Sequence, residues 1–89
     1  MSDTFDGLKE KLDLNKEWPR IYLFKFIIPN DNQKLAQAET LFGSEAIVTR
    51  NQSRTGKYVS ISAKEMMISS DEVIARYHKA QEIEGIISL

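Results

Sequence analysis

Ser53-Arg54-Thr55-Gly56-Lys57-Tyr58-Val59-Ser60-Ile61-Ser62 decides the reading of this chain. Gly56 sits in a turn-forming cluster, and after it apolar and polar residues alternate with the period of two that a half-buried strand requires. The stretch predicts a hairpin that enters a strand, with Tyr58, Ser60 and Ser62 on one face and Val59 and Ile61 on the other. A positive φ in the turn accounts for the glycine, which is a structural role.

Upstream, Arg20 to Ile28 is the most strand-like segment, dense in β-branched and aromatic residues. Tyr22, Phe24, Phe26 and Ile28 fall on one face, and Ile21, Leu23, Lys25 and Ile27 on the other. Both faces are largely apolar, which predicts a central strand. Pro29-Asn30-Asp31-Asn32 breaks it and offers several N-caps. Leu35, Ala38, Leu41 and Phe42 then recur at helical spacing, predicting a helix over 31–42 with Gly43 at C′. Ala46 to Gln52 reads as a second strand, and the hairpin turns it into a third from Lys57 to about Met67. Ser69-Ser70-Asp71-Glu72 is a capping box that opens a helix over 70–84. Val73, Ile74, Tyr77, Ala80 and Gln81 mark its periodicity, Gly85 closes it, and Ile86 to Leu89 forms a last short strand.

The order strand, helix, strand, strand, helix, strand, with right-handed crossovers, predicts a ferredoxin-like α+β sandwich over residues 18–89. It is a four-stranded antiparallel sheet with two helices on one face and the other face open. Residues 1–17 are polar; Phe5, Leu8 and Leu12 are spaced either for a short amphipathic helix or within a frayed tail, and Pro19 ends any helix there.

Composition narrows the function classes. Eighty-nine residues make one domain, and 12 basic against 13 acidic residues leave a net charge of −1, which argues against binding nucleic acid through bulk charge. The absence of cysteine excludes disulfides, thiolate catalysis and zinc–thiolate sites. The longest apolar run, Phe26-Ile27-Ile28, is far shorter than a membrane span, and no charged start precedes an apolar stretch as in a secretory signal. The expectation is a cytoplasmic protein.

The residues also carry a family resemblance. Trp18-Pro19, Phe24-Lys25, the pattern Ser53-x-x-Gly56-x-Tyr58-x-Ser60-x-Ser62, and Val73 with Tyr77 are similar to the YbeD-like family of small bacterial proteins of unknown function. The resemblance runs from about Leu8 to Leu89. It implies a fold like that of ACT-type regulatory domains, which bind small ligands or partner enzymes; it also implies a loose link to lipoate metabolism, and no catalytic residues.

Candidate site residues lie on the open sheet face. Lys25 can hold a carboxylate or phosphate as a point charge, or lay its stem over Leu23 and Ile27. Tyr58, Ser60 and Ser62 form a hydroxyl row suited to a ligand or partner, although such a row is also the ordinary wet side of a sheet. Arg50, Arg54 and Lys57 gather near the hairpin and could hold an anion, but charges are common there for solubility. His78 beside Glu82 is too sparse for a metal, and the helix dipole alone explains Asp71 and Glu72. No nucleophile–base set and no glycine-rich phosphate loop is visible. An RNA-recognition motif would need aromatics in a different register around Gly56; a copper chaperone needs Cys-x-x-Cys; an acylphosphatase needs an arginine cradle where Pro29-Asn30-Asp31-Asn32 stands.

These readings converge on a non-enzymatic docking or regulatory domain without cofactor or metal. Its expected surface is Leu23, Lys25, Ile27, Tyr58, Ser60 and Ser62, with Ile21 beside them. The expected partner is another protein, or a second copy through the sheet; nucleic acid and membrane are not expected. The alternative is an ACT-like sensor of a small acidic metabolite.

Overall fold

The alternation read along the central strand is what the structure is built on. In the computed structural model, which describes residues 6–14 and 17–89, the elements are α1 (Asp6–Leu14), β1 (Arg20–Pro29), α2 (Asn32–Glu39), β2 (Ile47–Gln52), β3 (Tyr58–Met67), α3 (Ser70–Ala80) and β4 (Ile87–Ser88). Phe5 lies outside the described residues. The strands form one antiparallel sheet in the order β2-β3-β1-β4, so the chain is an α+β protein, with an open four-stranded sheet and three helices among the described residues.

Register follows from burying one face. Phe24 pairs with Ala63, Phe26 with Ile61 and Ile28 with Val59, and all six are buried. The intervening pairs Leu23–Lys64 and Lys25–Ser62 face away from that core. A slip of one residue would exchange the two sets. The phenyl rings of Phe24 and Phe26 stack with centroids 6.2 Å apart, and Tyr77 of α3 meets both edge-on at 5.5 and 5.8 Å. Leu35, Ala38, Leu41, Val73, Ile74, Ala80 and Ile83 complete the core from the helical segments. Leu12 of α1 is buried in the same cluster, and Leu8 packs against it, so α1 lies on the core. Lys9 bridges to Asp71, and Ser70 donates to Asp13, tying α1 to the start of α3.

Helix caps follow their chemistry closely. Asp31 is the N-cap of α2 and accepts the N–H groups of Gln33 and Lys34 at 2.9 and 3.1 Å. Ser69 caps α3 by accepting the Glu72 N–H at 3.3 Å, while the Glu72 carboxylate accepts from Ile68, one residue before the partner an ideal capping box would use.

Both helices are shorter than the periodicity suggests. α2 stops at Glu39, and Gly43 does not adopt the left-handed conformation of a C′ residue; its N–H donates to Glu65 at 3.3 Å. α3 stops at Ala80, with Gln81 as an exposed C-cap, and Gly85 turns the chain several residues later at φ +82. Gly56 does take the expected positive φ, +77, in the hairpin. The final strand contracts to two residues, pairing Ile27 with Ile87 and Phe26 with Ser88.

Phe26→Ala should therefore cost about 3–5 kcal/mol in urea unfolding, whereas Leu23→Ala on the opposite face should cost less than about 1 kcal/mol. Equal losses would mean that the two faces are not divided as described.

Candidate interaction surface

Three strands position the site residues on the uncovered face. Across β1 and β3 the pairs are Ile21–Met66, Leu23–Lys64, Lys25–Ser62, Ile27–Ser60 and Pro29–Tyr58. β2 extends these rows with Ile47 beside Lys64, Thr49 beside Ser62 and Asn51 beside Ser60. On the far side Ile87 pairs with Ile27, and the Leu89 N–H donates to the Lys25 carbonyl at 2.9 Å. The six residues expected from the sequence thus share one surface. Lys25, Leu23 and Tyr58 are exposed, while Ile27, Ser60 and Ser62 are half-buried.

The face is more apolar than the wet side of a sheet usually is. Ile21 is 65% exposed, Leu23 53%, Ile47 66% and Met66 55%, all at one end. Ile87, Leu89 and Tyr58 are about half exposed or more at the other. A band of Thr49, Asn51, Ser60, Ser62 and Lys25 separates the two ends. These seven side chains form two exposed apolar groups on one face, one on each side of the polar band.

Sequence reasoning overlooked Lys64, Met66 and Ile47 as members of this surface. Lys64 and Met66 simply continue the period of two from Tyr58, Ser60 and Ser62, so the signal was present. Ile47 could not be assigned, because β2 is exposed throughout and its pattern alone gives no inward face. Lys64 matters most: it stands diagonally across from Lys25, giving the face a second ammonium group. Neither lysine makes an ion pair among the described residues.

The basic cluster around the hairpin is not assembled. Arg50 lies on the other side of the sheet, opposite Ile61, and bridges to Glu39 of α2. Arg54 and Lys57 stay exposed at the turn. A hollow of about 290 Å³ lies beside Tyr58, lined by Ile27, Asn51, Gln52, Ser53 and Ser60. A second, of about 170 Å³, is lined by Ile21, Glu45, Ile47, Lys64, Glu65 and Met66. A larger one of about 670 Å³ sits away from the sheet face, between α2 and residues 82–84, and is lined by Asp31, Lys34, Glu82 and Glu84 among others. Among the described residues no three His, Asp or Glu side chains are placed to hold a metal, and no helix is long and apolar enough to cross a membrane.

On the covered side, one charged pair closes the core. Glu65 occupies an inward position of β3 and receives Arg76 at 2.7 and 3.2 Å, both side chains being only 14% exposed. The Arg76 guanidinium lies 5.3 Å from the Phe24 ring centroid and 5.7 Å from that of Phe42. Hydrogen bonding from Arg76 holds the Glu65 carboxyl below its ordinary value of 4.5, against the opposing effect of burial. Burial pushes the Tyr77 phenol upward, and its hydrogen bond to the Tyr22 hydroxyl at 3.1 Å adds to this.

The chain has no significant match to a family model, a curated protein or a solved structure.

The Glu65 shift fixes a pH dependence. Its folded pKa lies below the unfolded one, so the stabilisation is complete above about 4.5 and is lost as pH falls through the lower folded value. Acid unfolding followed by circular dichroism should show this loss, and Glu65→Gln should be less stable at neutral pH with a shallower acid slope. An unchanged slope would remove Glu65 from the acid transition.

Proposed function

We propose that this chain is a docking domain of the ferredoxin-like type, related to the YbeD-like proteins, which binds a protein partner through its open sheet face. The strand order β2-β3-β1-β4 with antiparallel pairing supports the topology. The observation that carries the function is the exposed apolar surface of Ile21, Leu23, Ile47 and Met66 continuing past Lys25 to Ile27 and Ile87. Leaving such side chains in water gains the monomer nothing, whereas covering them contributes about 25 cal/mol per Å². The polar band through the middle supplies hydroxyls and amides that orient a partner without contributing much affinity.

Leu23→Glu and Tyr58→Glu test this reading. Both positions are exposed, so thermal stability should stay within a few degrees, while capture of the partner from the source cell should be abolished. Capture of the same partners by both variants and the parent would show that the surface is wrong.

A second reading, sensing of a small acidic metabolite, draws support from Lys25 and Lys64 beside Ser60 and Ser62. It is the weaker one because the hollow beside Tyr58 is not lined by Lys25, so the strongest attraction and the best enclosure lie in different places. A ligand at about 100 times its Kd would stabilise the fold by roughly 2.7 kcal/mol. We expect a panel of carboxylate and phosphate metabolites to give no such thermal shift. A reproducible shift lost in Lys25→Met would replace docking with sensing.

A further inference from the structure

We infer that the partner element seated on the open face is an acidic amphipathic helix, its apolar stripe lying on Ile21, Leu23 and Ile27 and its carboxylates meeting Lys25 and Lys64. The inference rests on the docking reading and adds the chemistry of the partner.

Charge selects the sign. The strand residues of this face include two lysines and no carboxylate, although the chain as a whole carries a net charge of −1. Acidic groups near the sheet are engaged elsewhere or stand outside its strands: Glu65 is turned to the covered side and bound to Arg76, Glu39 is bound to Arg50, and Glu45 precedes β2 and lines the hollow that Lys64 also lines. An unpaired ammonium that is desolvated by a partner is costly, and a carboxylate opposite it removes that cost while setting register. A second copy of this chain would bring two more lysines to the contact and no strand carboxylate to meet them.

Backbone chemistry selects the helix. The sheet presents side chains on this face, while its N–H and C=O groups lie in the sheet plane, directed at neighbouring strands or, along the outer side of β2 and the part of β1 that β4 leaves uncovered, at the sheet edges. An extended peptide laid there would find no backbone partners; extended segments bind at sheet edges instead. A helix satisfies its backbone internally and can cover a sheet face by side-chain contact alone. From Ile21 to Ile27 the strand runs roughly 20 Å, the length of about 13 helical residues, so three or four turns would reach both apolar ends.

The test uses three synthetic helical peptides of about 18 residues with one identical Leu/Ile stripe and Glu, Gln or Lys at the flanking positions. Fluorescence anisotropy should show the Glu peptide binding at least about tenfold more tightly than the Lys peptide at low salt, with the difference narrowing near 0.5 M salt. The double variant Lys25→Glu/Lys64→Glu should invert that preference, and because both positions are exposed its melting temperature should stay close to the parent's. Leu23→Glu should weaken all three peptides. Equal affinities for the three, binding of none, or a parent dimer in sedimentation that Leu23→Glu dissociates would overturn the acidic helix. If Leu23→Glu leaves cellular partner capture intact, the docking reading itself fails. If capture is lost yet the peptides show no charge preference, only the present inference fails.

Discussion

Sliding β1 by one residue against β3 would place Phe24 and Phe26 in water and turn Leu23 and Lys25 into the core, and almost every other feature depends on that not happening. In the native register the Phe24 and Phe26 rings are fully buried, stack on each other and meet Tyr77 edge-on. The hairpin end adds a second restraint. The Asn30 N–H donates to the Lys57 carbonyl at 2.9 Å, and its side-chain amide donates to the Gly56 carbonyl at 2.8 Å, so the exit of β1 is pinned to the turn before β3. Core and open face are two consequences of one register.

That register also brings a charge to the covered side. Glu65 continues the inward series Val59, Ile61, Ala63, and at this end of the sheet the core accepts a carboxylate because Arg76 and the Gly43 N–H meet it there. Arg76 in turn lies over Phe24 and Phe42, so its charge shares the space of an apolar contact. Gly43 belongs to the same arrangement: a Cβ at that position would stand 3.1 Å from the Glu65 carboxylate. Its small size therefore serves this contact, and the helix end has no need of a left-handed residue.

How much of this was legible in the sequence varies with the physics of each element. β1, β3 and the start of α3 were readable because alternation and side-chain capping are local signals, and Phe24, Phe26, Val59 and Ile61 are buried as their spacing implied. The helix ends were misjudged because Leu41, Phe42 and Ile83 keep helical spacing in turns that follow α2 and α3; they pack into the core or against it without extending the helices. The pairing of Arg50 with Glu39 was invisible, since it depends on two elements meeting across the sheet. Within the candidate surface, Leu23, Lys25, Ile27, Tyr58, Ser60 and Ser62 could be grouped by parity alone, but the diagonal approach of Lys64 to Lys25 required the pairing of β1 with β3.

An open, apolar sheet face is a hazard as well as an opportunity, because it invites non-specific association, and lysines are a common means of preventing it. On that view Lys25 and Lys64 would be gatekeepers and nothing more. Their placement argues for more than protection. Protective charges are most effective at edges, yet β2 at the open edge turns its Arg50 toward Glu39, and β3 and β1 carry, in the interior of the sheet, two lysines that make no ion pair among the described residues. Interior charges repel wrong contacts and reward one that supplies the opposite sign, so under the proposed docking the same pair would both suppress self-association and favour a specific partner. In the proposed complex the apolar residues on either side would supply the affinity that two exposed charges alone cannot.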